Sequence, residues 1–231
     1  MPILEKLFKA CLAKGFVPAK WRLARVVFLT KPGRTQYVTT SDFRSISLTS
    51  FLLKTLKRLI DRHIKEECLV KAPLHTGQHA YQAGKSVDTA LAEVIGYIKD
   101  GMRNRGIALA AFLDVDGAFN HTTRAAMAQG MRENAISHTV FRWIWDMLSN
   151  RKIEAQWINC TRIGKVNKRC PQGGVLSLTL WCLVVDGLIR VLNDAEVYAQ
   201  AYADDIVILV KRDSEEVLAG VMRFALGLVE K

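Results

Sequence analysis

Two apolar runs in this 231-residue chain end at acidic side chains. Phe112-Leu113-Asp114-Val115 closes one of them. Ala201-Tyr202-Ala203-Asp204-Asp205 interrupts the other before Ile206-Val207-Ile208-Leu209-Val210 resumes it. Burying an unpaired carboxylate is costly, and no Lys or Arg lies within five residues of either site. Brought together by the fold, two such charges about 4 Å apart would repel by roughly 4 kcal/mol at an effective dielectric near 20. A cation must offset that. Magnesium takes oxygen ligands and binds through a few carboxylates plus substrate phosphates. Two such ions about 3.5–4 Å apart can activate an attacking hydroxyl and stabilise a leaving pyrophosphate. A lone Asp-Asp pair more often does no more than favour a turn. The apolar strands on both sides set this one apart, and composition and spacing alone make it a candidate divalent-metal site.

The elements that must position these groups follow from hydrophobic periodicity. Residues 107–115 form a near-continuous apolar run, which predicts a strand buried on both faces. Residues 196–202 and 206–211 flank Asp204-Asp205 as the arms of a β-hairpin. Upstream, residues 1–15 have the stripe of an amphipathic helix, 22–30 read as a strand, Lys31-Pro32-Gly33 as a turn and 34–41 as a polar loop. Helices are predicted over 51–70, 87–102, 122–133, 138–149 and 214–230. Residues 152–158 alternate as a strand, with 166–170 as its expected partner. Gly173-Gly174 opens an apolar helix ending near Leu192. It contains Asp186 and reads as a buried helix rather than a membrane span.

The net charge is +11 and half of the residues are hydrophobic, which marks a globular chain with an anionic partner. The charge is uneven: residues 1–71 carry 15 Lys and Arg against 5 Asp and Glu, and the remainder is nearly balanced. Such a basic half suits a nucleic-acid backbone or a triphosphate, although it also fits a merely soluble surface. The five cysteines are odd in number and lack Cys-x-x-Cys spacing. This disfavours a disulfide framework or a zinc site and points to an intracellular protein, nuclear or cytoplasmic and not secreted.

At this point the residues resemble a family. Tyr202-Ala203-Asp204-Asp205 inside an apolar hairpin is similar to the signature of reverse transcriptases. Phe112-Leu113-Asp114-Val115-Asp116-Gly117-Ala118-Phe119 resembles that family's first acidic motif, and Cys170-Pro171-Gln172-Gly173-Gly174-Val175-Leu176-Ser177 its Pro-Gln-Gly loop. Trp21 to Val27, Lys31-Pro32-Gly33, Asp42-Phe43-Arg44-Ser45-Ile46-Ser47-Leu48 and Gln78 to Ser86 resemble the fingers of non-LTR retroelements, above all jockey-like elements. The ordered set covers nearly the whole chain. It implies an α+β right-hand polymerase fold, with fingers over residues 1–105 and a palm over 106–231, the palm being a small antiparallel sheet backed by helices. The family continues into a thumb, so the chain is expected to stop before it.

The resemblance also implies roles. Asp114, Asp204 and Asp205, with the carbonyl of Val115, would hold two Mg²⁺ ions, for which Mn²⁺ could substitute. Phe119 aligns with the steric gate that excludes a 2′-hydroxyl. Lys31 and Arg44 match the cations that hold the incoming triphosphate, through charge-assisted hydrogen bonds. Gln172 and Gly173 would line the nucleotide pocket. The implied activity is RNA-directed DNA polymerisation, adding dNTPs to a primer on an RNA or DNA template, with no membrane partner. Leu178 and Ser45 stand where the family usually has Pro, and Asn120 where many members have Asp, though none is a proposed ligand. The alternative is a degenerate, catalytically weak or dead copy acting at most as a basic nucleic-acid-binding module.

Overall fold

The structure, a computed structural model, describes residues 2–33, 36–39, 42–103, 106–115, 118–149, 151–157, 160–166 and 174–230. In chain order the elements begin with α1 (Pro2–Lys14), β1 (Leu23–Thr30), β2 (Phe43–Leu48) and α2 (Phe51–His63), which continues as one π turn over Ile64–Cys68. Next come α3 (Val87–Arg103), β3 (Ile107–Asp114), α4 (Ala118–His121), α5 (Arg124–Glu133) and α6 (His138–Ser149). The chain ends with β4 (Arg151–Trp157), β5 (Cys160–Val166), α7 (Val175–Asp194), β6 (Tyr198–Tyr202), β7 (Asp205–Arg212) and α8 (Glu215–Val229). The architecture is α+β.

Backbone contacts group the chain into two compact units, 1–72 with 119–181, and 73–118 with 182–231. Each unit therefore draws on two stretches of sequence. The first joins residues more than a hundred positions apart because β1 pairs in parallel with β4, Leu23 opposite Lys152 and Val26 opposite Ala155. The local sequence pattern carries no trace of that pairing.

In the first unit the sheet runs β2-β1-β4-β5. Ala24 and Val26 of β1 are buried, while Arg25 between them is exposed, the period-two pattern of a strand with one covered face. Trp143, Ile144 and Leu148 of α6, Met127 and Met131 of α5, and Leu56 of α2 are almost wholly buried. Helices α2 and α5 start on side-chain caps: Ser50 Oγ accepts from the Leu53 amide at 3.2 Å, and Thr123 Oγ1 from the Ala126 amide at 3.1 Å. Asp146 Oδ2 accepts from the Val17 amide and from Arg22 Nη2, both at 2.8 Å, which ties α6 to the entrance of β1. The partner of β4 is Cys160–Val166, earlier than the expected 166–170. Trp157 sits opposite Cys160, so a two-residue connection suffices. Gly164 and the polar residues of β5 hide the strand from a propensity reading.

The second unit holds a three-stranded antiparallel sheet in the order β3-β7-β6. Its central strand, β7, is buried continuously from Ile206 to Val210. Helix α3 sets Val94 against Val207 and Leu209, with Tyr97, Ile98 and Tyr198 packed around them. Helix α8 packs against β7 and β3. The expectation that 107–115 is buried on both faces is corrected: β3 is an edge strand, with Leu109 exposed and Phe112 75% exposed. An apolar run shows that a strand can be buried, not that something covers it. Full burial belongs instead to β7.

Helix α7 crosses from one unit to the other and is long and apolar enough to span a membrane by length and composition, but it is mostly buried within the protein. Its Asp186, 1% exposed, accepts from the His75 amide and from Arg190 Nε, both at 2.6 Å. Both bonds lie within the second unit and tie the segment around His75 to the helix.

That segment reaches the outer edge of β6. Gln78 bridges Ala201, with the His79 amide donating to the Ala201 carbonyl and the Ala201 amide to the Gly77 carbonyl, each at 2.9 Å. A Cβ at Gly77 would stand 2.7 Å from the Ala199 carbonyl oxygen, a backbone atom that cannot swing away. Gly77→Ala is therefore expected to destabilise the chain by about 1–3 kcal/mol, through forced backbone shifts. A lowered urea midpoint checks this, and an unchanged midpoint would show that the edge yields.

The His79 side chain is wholly buried and faces Thr89, Glu93 and Lys85. Burial lowers its pKa, Lys85 acts in the same direction, and Glu93 opposes them. Burial likewise lowers that of His75. The unfolded chain therefore takes up protons more readily than the folded one. The stability from neutral His79 is full above its ordinary value of 6.5 and is lost as the pH falls below it. The melting temperature should drop between pH 7.5 and pH 5, and less steeply in His79→Gln.

Candidate metal centre and nucleotide-binding residues

The antiparallel register of β3 and β7 places Asp114 directly opposite Asp205. Cross-strand neighbours have Cβ atoms about 4.5–5.5 Å apart and share one face of the sheet. The hairpin from β6 to β7 pairs Tyr202 with Asp205, leaving Ala203 and Asp204 as its two-residue turn. The Val115 amide donates to the Asp204 carbonyl at 3.1 Å, stitching the end of β3 to that turn. The Val115 carbonyl accepts from the Ala118 amide at 3.2 Å and keeps a second lone pair. Residues 114, 115, 204 and 205, ninety positions apart in the chain, thus meet at one end of one sheet.

All three carboxylates are exposed. Val207 and Leu209 lie on the same face of β7 as Asp205, and α3 covers them. That cover does not extend over Phe112, the cross-strand partner of Val207. No described residue gives the side chains of Asp114, Asp204 or Asp205 a hydrogen bond or an ion pair. Unpaired carboxylates facing one another suit a hard cation with oxygen ligands. They are not a closed cage: no group of three His, Cys, Asp or Glu among the described residues is close enough to hold a metal unaided. Magnesium completes such a shell with water and substrate phosphates.

The turn carries local strain. Ala203 has φ +58°, a left-handed value unusual outside Gly, costing roughly 1–2 kcal/mol. Tyr81, in the segment after the β6 edge, has φ +60°. Burial raises its phenol, as does the nearby charge of Asp204. Lys85 Nζ donates to the Gln78 carbonyl at 2.6 Å and also to the Thr76 carbonyl, closing the base of this loop.

Lys31 and Arg44 belong to the other unit, on the β1–β2 hairpin. Arg44 is opposite Leu29, and the Lys31 amide donates to the Asp42 carbonyl at 2.9 Å, extending the ladder by one step. The two residues therefore lie on the same face as diagonal neighbours, their Cβ atoms about 7 Å apart. Asp42, 4% exposed, accepts from the Thr39 amide at 2.6 Å, the Val38 amide at 2.9 Å and Thr39 Oγ1 at 2.9 Å. It braces the approach to β2, a role sequence reasoning missed although Thr-x-x-Asp before a strand was its available signal. Phe119, half-buried on α4, sets its ring 6.0 Å from that of Trp181, tilted by 46°. Gln172 and Gly173 lie outside the described residues. Among the described residues Cys11, Cys68, Cys160 and Cys182 are thiols outside any disulfide.

Comparisons with known proteins bear on this arrangement. The family described as "Reverse transcriptase (RNA-dependent DNA polymerase)" matches residues 29–228. The chain is 28% identical over 222 residues to a 115 kDa protein of the type-1 retrotransposable element R1DM of Drosophila melanogaster, covering 93% of this chain and 20% of that protein. It is 25% identical over 214 residues to the RNA-directed DNA polymerase from mobile element jockey of Drosophila funebris, covering 90% and 23%. The chain thus spans about a fifth of the length of these relatives. Among solved structures, telomerase of Candida tropicalis in complex with a fragment of telomeric RNA superposes with a TM-score of 0.61 at 10% identity, covering 96% of this chain and 41% of that one. Telomerase of Candida albicans gives 0.60 at 11% identity, covering 97% and 43%. At these identities the likeness is one of fold, that of the right-hand polymerases. Divalent-metal use is general in the matched family, and the unpaired carboxylates at the strand ends fit it. The chain belongs to the reverse transcriptase family, among the non-LTR retrotransposon members.

Proposed function

We propose that this chain is an RNA-directed DNA polymerase domain that adds dNTPs to a primer 3′-hydroxyl during retrotransposition, on an RNA or DNA template. The observation that carries the reading is the opposition of Asp114 and Asp205 beside the Asp204 turn. Asp114, Asp204, Asp205 and the Val115 carbonyl would hold two Mg²⁺ ions, or Mn²⁺ in their place. When bound, such ions lower the charge barrier to attack on the α-phosphate and to departure of pyrophosphate. The chain's own residues do the positioning. Lys31 and Arg44 hold the triphosphate, Arg44 being able to bind bidentately. Phe119 lies under the sugar and rejects a 2′-hydroxyl. Gln172 and Gly173, which lie outside the described residues, would line the nucleotide pocket, as the family resemblance implies, since glycine permits close backbone approach. In this reading residues 1–105 act as fingers and 106–231 as palm. Catalysis is mostly orientation and electrostatic stabilisation.

A second reading, a non-catalytic nucleic-acid-binding module, is favoured by the excess of ten cations in residues 1–71. Primer extension on poly(rA)·oligo(dT) with Mg²⁺ separates the two. Incorporation that survives Lys165→Ala, an exposed change on β5, and vanishes in Asp205→Ala supports the polymerase. Salt-sensitive binding without incorporation supports the module.

A further inference from the structure

We propose that Trp181 is a positioning residue for sugar selection, holding the Phe119 ring so that it cannot yield to a 2′-hydroxyl. The proposal rests on the reading of Phe119 as the steric gate and adds a residue that this reading does not include. A gate works only if it is stiff. Phe119 is carried by a four-residue helix and is half-buried, so its helix alone gives it little confinement. A Phe ring turns about two torsions, the second of them broad. Unsupported, it would rotate or retreat when a ribonucleotide pressed on it, and the clash would cost little.

Trp181 supplies the support. Its ring centroid lies 6.0 Å from that of Phe119 at an angle of 46°, within the range in which aromatic rings attract. Trp181 is itself 7% exposed and sits in the 20-residue α7. Its helical neighbours Leu176, Ser177 and Leu180 are buried as well, so the backing ring is anchored where the gate is not. A smaller side chain at 181 opens space behind Phe119, because a packed interior closes only partly around a deletion. That space tolerates the extra hydroxyl. Contacts to the deoxyribose itself are left alone, so the change should appear in discrimination more than in dNTP affinity.

The test is equilibrium binding of dGTP and GTP to the full chain on a primer–template with a chain-terminated primer and Mg²⁺. Wild type, Trp181→Leu, Trp181→Phe and Phe119→Ala are compared, with a melting curve for each to confirm folding. The proposal expects the dGTP preference to fall about tenfold in Trp181→Leu, chiefly through tighter GTP binding, as befits one displaced apolar contact. Trp181→Phe, which keeps a ring, should retain most of the preference. Phe119→Ala should lose at least as much as Trp181→Leu. If Phe119→Ala loses the preference and Trp181→Leu keeps it, Trp181 is only core and the proposal is overturned. If Phe119→Ala also keeps it, or the wild type does not distinguish the sugars, the gate reading fails and the proposal falls with it.

Discussion

Asp204→Asn is expected to lower nucleotide incorporation by about 10²–10³-fold, while the melting temperature in metal-free buffer holds or rises slightly. Asp204 would act by holding an ion that stabilises the charge developing in the transition state, and losing one such electrostatic element commonly costs about 10²–10³-fold. The side chain lies in an exposed two-residue turn with no described hydrogen bond or ion pair, so asparagine removes nothing that holds the fold together. It also relieves repulsion with Asp205, its neighbour in the chain and the cross-strand partner of Asp114. Stability and activity should therefore part company, the mark of a residue kept for chemistry. Primer extension paired with a melting curve checks both halves. A large loss of stability would instead make Asp204 a structural turn residue.

Ile208→Ala should destabilise the chain by about 3 kcal/mol. Ile208 is fully buried at the middle of β7, opposite Ala111 on β3 and Ala199 on β6. Neither neighbour has the bulk to fill the space a truncation would leave. The same strand sets the register that brings Asp205 to Asp114, so a loosened β7 should also reduce incorporation at temperatures where the variant is still folded. Urea unfolding measures the first effect. A cost below about 1 kcal/mol would mean that the sheet closes around the cavity, a degree of relaxation uncommon in packed cores.

Legibility in the sequence followed distance along the chain. The hairpin around Asp204 was readable because its strands are apolar, adjacent and interrupted by an acidic pair, although Asp205 opens β7 and the turn itself is Ala203-Asp204. The strand leading to Asp114 was readable because an apolar run stops abruptly at a charge. The pairing between them was not, since no local feature says which residue of β3 meets which residue of β7. That register is decided by two-sided packing of β7, including Val94 of α3. The grouping of residues 119–181 with the N-terminal segment was invisible for the same reason. It depends on parallel pairing between β1 and β4. Strand β5 was misplaced because Gly164 and its charged residues do not resemble a strand until Trp157 and Cys160 are seen as partners. The contact of Trp181 with Phe119 joins residues sixty-two positions apart and leaves no local trace. Roles for Lys31, Arg44, Phe119, Gln172 and Gly173 came only from family resemblance.

Mn²⁺ binding to the full chain, with a chain-terminated primer–template and a complementary dNTP, tests the account at its centre. Counted by electron paramagnetic resonance of free Mn²⁺, the wild type should take up two ions at the site, and Asp114→Asn and Asp205→Asn should each lose at least one. Equal uptake by all three proteins would contradict it, because the facing carboxylates at the ends of β3 and β7 would then not be what holds the metal.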